Sequence, residues 1–194
     1  MPSATLSDPG DPMTRRFHPL LSLALPGCLF LTAPLPGLAG TDSSGAEVLA
    51  QKPTGTVLLT ITGSVAGAAA PVTVQLDQAM LAALPQATFT TTTIWTEGPQ
   101  TFTGVPLSAL LAATGMTGRA ILARAINDYS IEIPVETWPS DGPIVAYLRN
   151  GKPMSVREKG PLWIVYPYDA RADYRSEVVY SRSIWQLDRL ELKP

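Results

Sequence analysis

Beyond residue 39 this chain has no cysteine and no histidine; its single Cys, Cys28, and its single His, His18, both precede that point. Disulfides, thiolate or imidazole metal sites, cysteine nucleophiles and every triad or general base built on imidazole are therefore excluded from the remainder. Charge is also scarce. Lys and Arg number 14 against 16 Asp and Glu, a net charge of −2, so no basic face of the kind nucleic-acid binding requires is evident, although Lys and Arg crowd into the second half. Internal repeats and coiled-coil heptads are absent as well.

The N-terminal segment carries an export pattern. Arg15 and Arg16 form a positive start, Leu20 to Leu38 is apolar, and Gly37-Leu38-Ala39 places small residues where a signal peptidase cuts. Met13 is an alternative start. Prolines and glycines between Pro26 and Gly37 argue against a permanent membrane span. Residues 1–39 are thus expected to be a cleaved signal, with a periplasmic product. Lipoprotein processing at Cys28, within Leu25-Pro26-Gly27-Cys28, is the alternative. Residues 40–55, rich in Gly, Ser, Thr and Ala without a hydrophobic period, read as a flexible leader. Residues 56–194 have the size of one ordinary domain.

Within that domain, short apolar or alternating runs at 56–62, 72–74, 89–96, 121–125, 129–133 and 144–148 read as strands. Asp77 suits the cap of a short helix with Met80, Leu81 and Leu84 on one face. Pro106 suits a first helical position. Leu107, Leu110, Leu111 and Thr114 follow at helical spacing, with Gly115 as the stop. Residues 135–138 read as one helical turn. Asn150-Gly151 signals a hairpin after Ile144 to Leu148, and its polar loop runs into Leu162 to Tyr166, a buried strand ended by Pro167. In the tail, Trp185 and Leu187 share one parity and Leu190 and Leu192 the other, so a bulge is expected near Asp188-Arg189. Many short strands with two or three short helices make an α+β domain, mostly β.

Four stretches occur in a particular order: Thr101-Phe102-Thr103-Gly104-Val105-Pro106-Leu107-Ser108-Ala109-Leu110-Leu111, then Asn127-Asp128-Tyr129-Ser130, Asn150-Gly151-Lys152-Pro153-Met154, and Gly160 through Pro167. Together they resemble the molybdopterin-binding domain of the sulfite oxidase family, over roughly residues 56 to 192. The resemblance implies several small β-sheets around a pterin pocket. Catalytic members ligate molybdenum through a Cys in the region that here reads Ile94-Trp95-Thr96-Glu97-Gly98-Pro99-Gln100. No soft ligand stands there. With Ser181-Arg182-Ser183-Ile184-Trp185-Gln186-Leu187 near its end, the chain resembles short exported members that lack this Cys. Such members imply a pterin, metal-free, as ligand and a membrane-bound signalling protein as partner. The alternative is a molybdopterin-dependent oxidoreductase subunit that holds its cofactor without Cys.

For a pterin, the stacking aromatics expected from the sequence are Trp95, Trp185 and Tyr166. Glu97 and Asp128, at turns after strands, are candidates to accept the ring's donor edge. Arg157, Lys159 and Arg182 are candidates for a ring carbonyl or an anionic tail. Asp169, Arg171, Asp173 and Arg175 read as a solvated charged loop without chemistry.

Overall fold

A computed structural model describes residues 43–135, 138 and 142–194. The export segment, with Cys28 and His18, lies outside the described residues, as do positions 136 and 137 of the expected turn. In chain order the elements are α1 (Ser43–Ala50), β1 (Leu59–Val65), β2 (Val72–Leu76), α2 (Gln78–Ala83), β3 (Ala87–Thr91), β4 (Gln100–Pro106) and α3 (Leu107–Thr114). Then follow β5 (Met116–Thr117), β6 (Ala120–Ala125), β7 (Ser130–Pro134), β8 (Ile144–Arg149), β9 (Lys152–Pro153), β10 (Trp163–Val165), α4 (Glu177–Arg182) and β11 (Leu187–Lys193). Single 3-10 turns stand at Val156–Glu158 and Ala172–Tyr174. The domain is α+β and mostly β.

The strands form two sheets, ordered β2-β1-β11-β6-β7 and β10-β8-β4-β3, with β5 on β1 and β9 on β8. In the first sheet only β1 and β11, near opposite ends of the described chain, run parallel. Its register explains the alternation. Val74, Ile61, Leu190, Ala123 and Ile131 stand opposite one another across five strands as one apolar row. The adjacent row, Thr73, Thr62, Glu191, Leu122 and Glu132, carries most of the polar groups. The expected bulge is present, with the register slipping between Leu187 and Arg189.

In the second sheet β10 and residues Ile144 to Ala146 of β8 are buried on both faces, which is why 162–166 is apolar at every position. Asn150 and Gly151 both have positive φ, 52° and 74°, the geometry of a type I′ hairpin between β8 and β9. Gly104 lets β4 lie against β8, because a Cβ there would stand 2.2 Å from the Val145 carbonyl oxygen.

Two helices depart from the sequence reading. The stretch read as an unstructured leader includes α1, whose Val48 and Leu49 pack on the core; Gly45 allows the approach, since its Cβ would meet that of Ala113 at 3.0 Å. Helix α4 follows Ser176, whose hydroxyl accepts from the Val179 N–H. The other two helices lie within a residue of where the sequence places them. Asp77 caps α2 by accepting from the Met80 N–H at 2.9 Å, and Gly115 ends α3 at φ 62°. Pro106 stands one residue earlier than expected, at the N-cap.

The two sheets meet through the segment before β11. The Ile164 N–H donates to Ile184, the Leu187 N–H to Leu162, and Trp163 and Trp185 form a single bridge, so residues 184–187 lie along β10 before joining the first sheet. This crossing positions the site.

Candidate functional site

The crossing segment, α4, the β6–β7 turn and the loop after β3 surround a cavity of about 430 Å³. It is lined by Trp95, Ala125, Asn127, Tyr129, Tyr180, Ser181, Ser183, Ile184 and Trp185, with no charged residue among them. Its walls are therefore aromatic and its polar groups neutral.

Each wall is fixed locally. Trp95 belongs to the loop after β3, where the Thr92 N–H and hydroxyl donate to the Asp169 carboxylate at 2.6 and 2.7 Å. Thr93 and Thr96 hydroxyls pair at 2.8 Å within the loop. Trp95 then packs edge to face with Trp163, Tyr180 and Trp185 at centroid distances of 5.7, 5.7 and 5.6 Å. Below them Ser183 is a buried junction. Its hydroxyl accepts from Tyr168 and donates to the Val179 carbonyl, both at 2.7 Å, while its carbonyl accepts from the Trp163 indole at 3.1 Å. Burial pushes the Tyr168 phenol well above its ordinary range, which keeps that hydroxyl a donor.

The β6–β7 turn is held from the crossing segment, the Ile126 N–H donating to Gln186 at 3.0 Å. Asp128 takes positive φ, 65°, and its carboxylate accepts from Arg189 at 2.8 Å. Asn127 Oδ1 accepts from the Tyr129 N–H at 3.2 Å, and among the described residues its Nδ2 makes no protein hydrogen bond. The loop after β9 supports the opposite side. Ser155 and Glu158 close a capping box, Lys159 takes φ 76°, and its carbonyl accepts from the Gln186 N–H. The Lys159 ammonium stands 4.3 Å from the Trp185 ring centroid. Gly160 permits this loop, since a Cβ would stand 2.0 Å from the Met154 carbonyl oxygen.

Of the residues expected from the sequence, Trp95 and Trp185 line the cavity and Lys159 backs Trp185. The two indoles touch each other at 68° between planes, so no ring fits between them. Together they form a stepped wall, on which a ring can stack from one side only. Tyr166 is not in the wall; it is buried against Tyr174 at 5.5 Å, because β10 is covered on both faces. Glu97 is exposed at the loop tip and Asp128 is engaged by Arg189, so neither carboxylate lines the cavity. Arg157 is exposed on the 3-10 turn, and Arg182, between the lining residues Ser181 and Ser183, is not itself lining.

Asp169, read as solvated without chemistry, anchors the Trp95 loop instead, and donation from Thr92 holds its carboxyl below the usual range. Arg175 likewise donates to the Tyr168 carbonyl at 2.9 Å. Asn127, Tyr129 and Tyr180 are among the lining residues that sequence reasoning did not select, with Ala125, Ser181, Ser183 and Ile184. Asn127-Asp128-Tyr129 was legible as a turn, but its position across the cavity from α4 depends on tertiary packing that no local pattern announces. No family model and no characterised protein matches the chain.

Proposed function

We propose that this chain is an exported, non-catalytic binding module that takes a flat, near-neutral heteroaromatic molecule of the pterin class between α4 and the β6–β7 turn. On this reading it keeps the pocket of a sulfite-oxidase-like molybdopterin-binding fold and passes occupancy to a membrane-bound signalling partner. The observation that carries the reading is an aromatic cavity of about 430 Å³ with no charged lining residue. That volume lies within the range of small-molecule sites, and stacking on an indole is the main attraction such a wall offers.

The Asn127 amide presents a donor and an acceptor side by side, the complement of a pyrimidinone edge. It takes the role that the sequence assigns to Glu97 or Asp128. The full molybdopterin fits less well, because its phosphate would find no cation among the lining residues. A pterin without that tail needs neither the phosphate site nor a metal ligand.

Titration with oxidised and reduced pterins, followed by tryptophan fluorescence and calorimetry, tests the reading. Ligand stacked on Trp185 should change indole emission. Trp185→Ala should weaken binding by about 1 to 3 kcal/mol, roughly five- to 150-fold. Silence in both measurements at millimolar pterin would reject it.

A further inference from the structure

The second sheet has two edges, and they are treated differently. At β10 the outer edge is occupied, since Ile164 donates to Ile184 and Leu162 accepts from Leu187. At β3 no described strand pairs beyond it. An open edge is normally guarded by charge, proline or a bulge. Strand β3 has none of these. Ala87-Thr88-Phe89-Thr90-Thr91 is uncharged, free of proline, and in regular register with β4 from Ala87↔Gly104 to Thr91↔Gln100. The edge of the first sheet at β7 differs, with Glu132 and Pro134 in its five residues.

The side chains on the exposed face of β3 are matched as well as unguarded. Thr88 pairs with Thr103 of β4 at 2.9 Å between hydroxyl oxygens, and Thr90 with Thr101 at 2.8 Å. We infer that β3 is a self-pairing edge, joining two copies of this chain in an antiparallel, two-fold symmetric contact centred on Phe89. In that register Thr88 faces Thr90 of the second copy, so the hydroxyl pairs of each sheet continue across the junction. Phe89 meets its own counterpart on the opposite face.

Two properties of the strand select a second copy as the occupant. A neutral strand meets no like-charge repulsion from itself, and a two-fold axis through Phe89 sets Thr88 against Thr90 of the copy and Thr90 against its Thr88, the self-complementarity an isologous contact requires. Because the β10 edge is covered and the contact is two-fold, this sheet pairs once and the contact closes on itself. Beyond Thr91 the Thr92 N–H is bound to Asp169, which limits the contact to five residues and places it among weak, concentration-dependent interfaces.

The test uses the full chain carrying Cys28→Ser, to which Thr88→Cys or Thr90→Cys is added singly. Mixed under mild oxidation, the two proteins should form a disulfide-linked dimer, while each alone should form far less. Sedimentation of the unaltered chain should show monomer and dimer in a concentration-dependent ratio, and Thr90→Lys should shift it to monomer. Equal cross-linking in the unmixed samples, monomer alone at every concentration, or growth beyond dimers would each overturn the inference.

Discussion

Around α3 the interior is aliphatic: Leu59, Ile61, Leu81, Leu107, Leu110 and Ile121 are all fully buried. Beside α4 it is aromatic: Trp95, Trp163, Tyr166, Tyr168, Tyr174, Tyr180 and Trp185 form a connected set with ring centroids 5.5 to 6.4 Å apart. Branched aliphatic chains interdigitate and fill their space, whereas rings meeting edge to face leave concave steps. The cavity lies in the aromatic region, where the outer rings are only partly covered; Trp185 keeps 36% of its surface exposed while Trp163 keeps 0%. On the proposed function, neighbouring members of one ring cluster would carry both stability and recognition, while the aliphatic region would contribute to stability.

The largest expected effects test that division at the two cores. Trp163→Ala removes a fully buried ring that packs on Phe102 at 5.4 Å and on Trp95. It should cost about 3 to 5 kcal/mol of unfolding free energy and also weaken pterin binding, because Trp95 loses its backing. Leu110→Ala should cost about 2 to 5 kcal/mol in urea denaturation while leaving the affinity of the folded fraction unchanged. If Leu110→Ala weakened binding as much as Trp163→Ala does, the two regions would not be functionally separate.

A smaller effect sharpens the comparison through pH. Asp77 ties down the aliphatic side, accepting from the Met80, Gly55 and Thr54 N–H groups, and Asp169 ties down the aromatic side. Donation from Met80 holds the Asp77 carboxyl below its ordinary value, as donation from Thr92 does for Asp169. Folded-state values lie below unfolded ones, so each carboxylate stabilises the fold above the unfolded value and loses that contribution as pH falls through the folded one. Urea midpoints should drop from about pH 5 to about pH 3. Asp77→Asn and Asp169→Asn should each lie below the unaltered protein near neutral pH and fall less steeply in acid. Only Asp169→Asn should also weaken the ligand, by loosening the Trp95 loop. Parallel pH curves would show that neither carboxylate carries the dependence.

These two regions differ in how far the sequence reveals them. Helix α3 and the Asn150-Gly151 hairpin were readable because their signals are local: Pro106 and Gly115 bracket a helical period, and Asn-Gly supports positive φ at adjacent residues. The bulge at Leu187 and Arg189 followed from a parity change within a single strand. Helix α1 was not readable, because its small residues earn their place only against Ala113. The site was half readable. Trp95 and Trp185 stood out as aromatics at strand ends, yet their mutual contact joins residues 90 positions apart in the chain. Charge drew attention to Glu97 and Asp128, whereas the folded cavity is lined by neutral Asn127 and by Tyr129, which only the placing of the turn across the cavity from α4 selects.

The smallest expected effect isolates Lys159. Its ammonium lies 4.3 Å from the Trp185 centroid and 5.9 Å from that of Trp163, outside the set of lining residues. A cation over an indole at a partly exposed site contributes about 0.5 to 1 kcal/mol. The contact also holds the outermost ring of the wall in one orientation, so a ligand need not order that ring on binding. Lys159→Gln should therefore weaken pterin binding by about two- to five-fold, the equivalent of that energy, with little change in unfolding free energy. Lys159 acts here through Trp185: once Trp185→Ala is in place, adding Lys159→Gln should cost nothing more. A double-mutant cycle measures this. A coupling close to zero, with Lys159→Gln still harmful in the Trp185→Ala protein, would mean that Lys159 acts on the ligand by its charge and that the stepped wall stands without it.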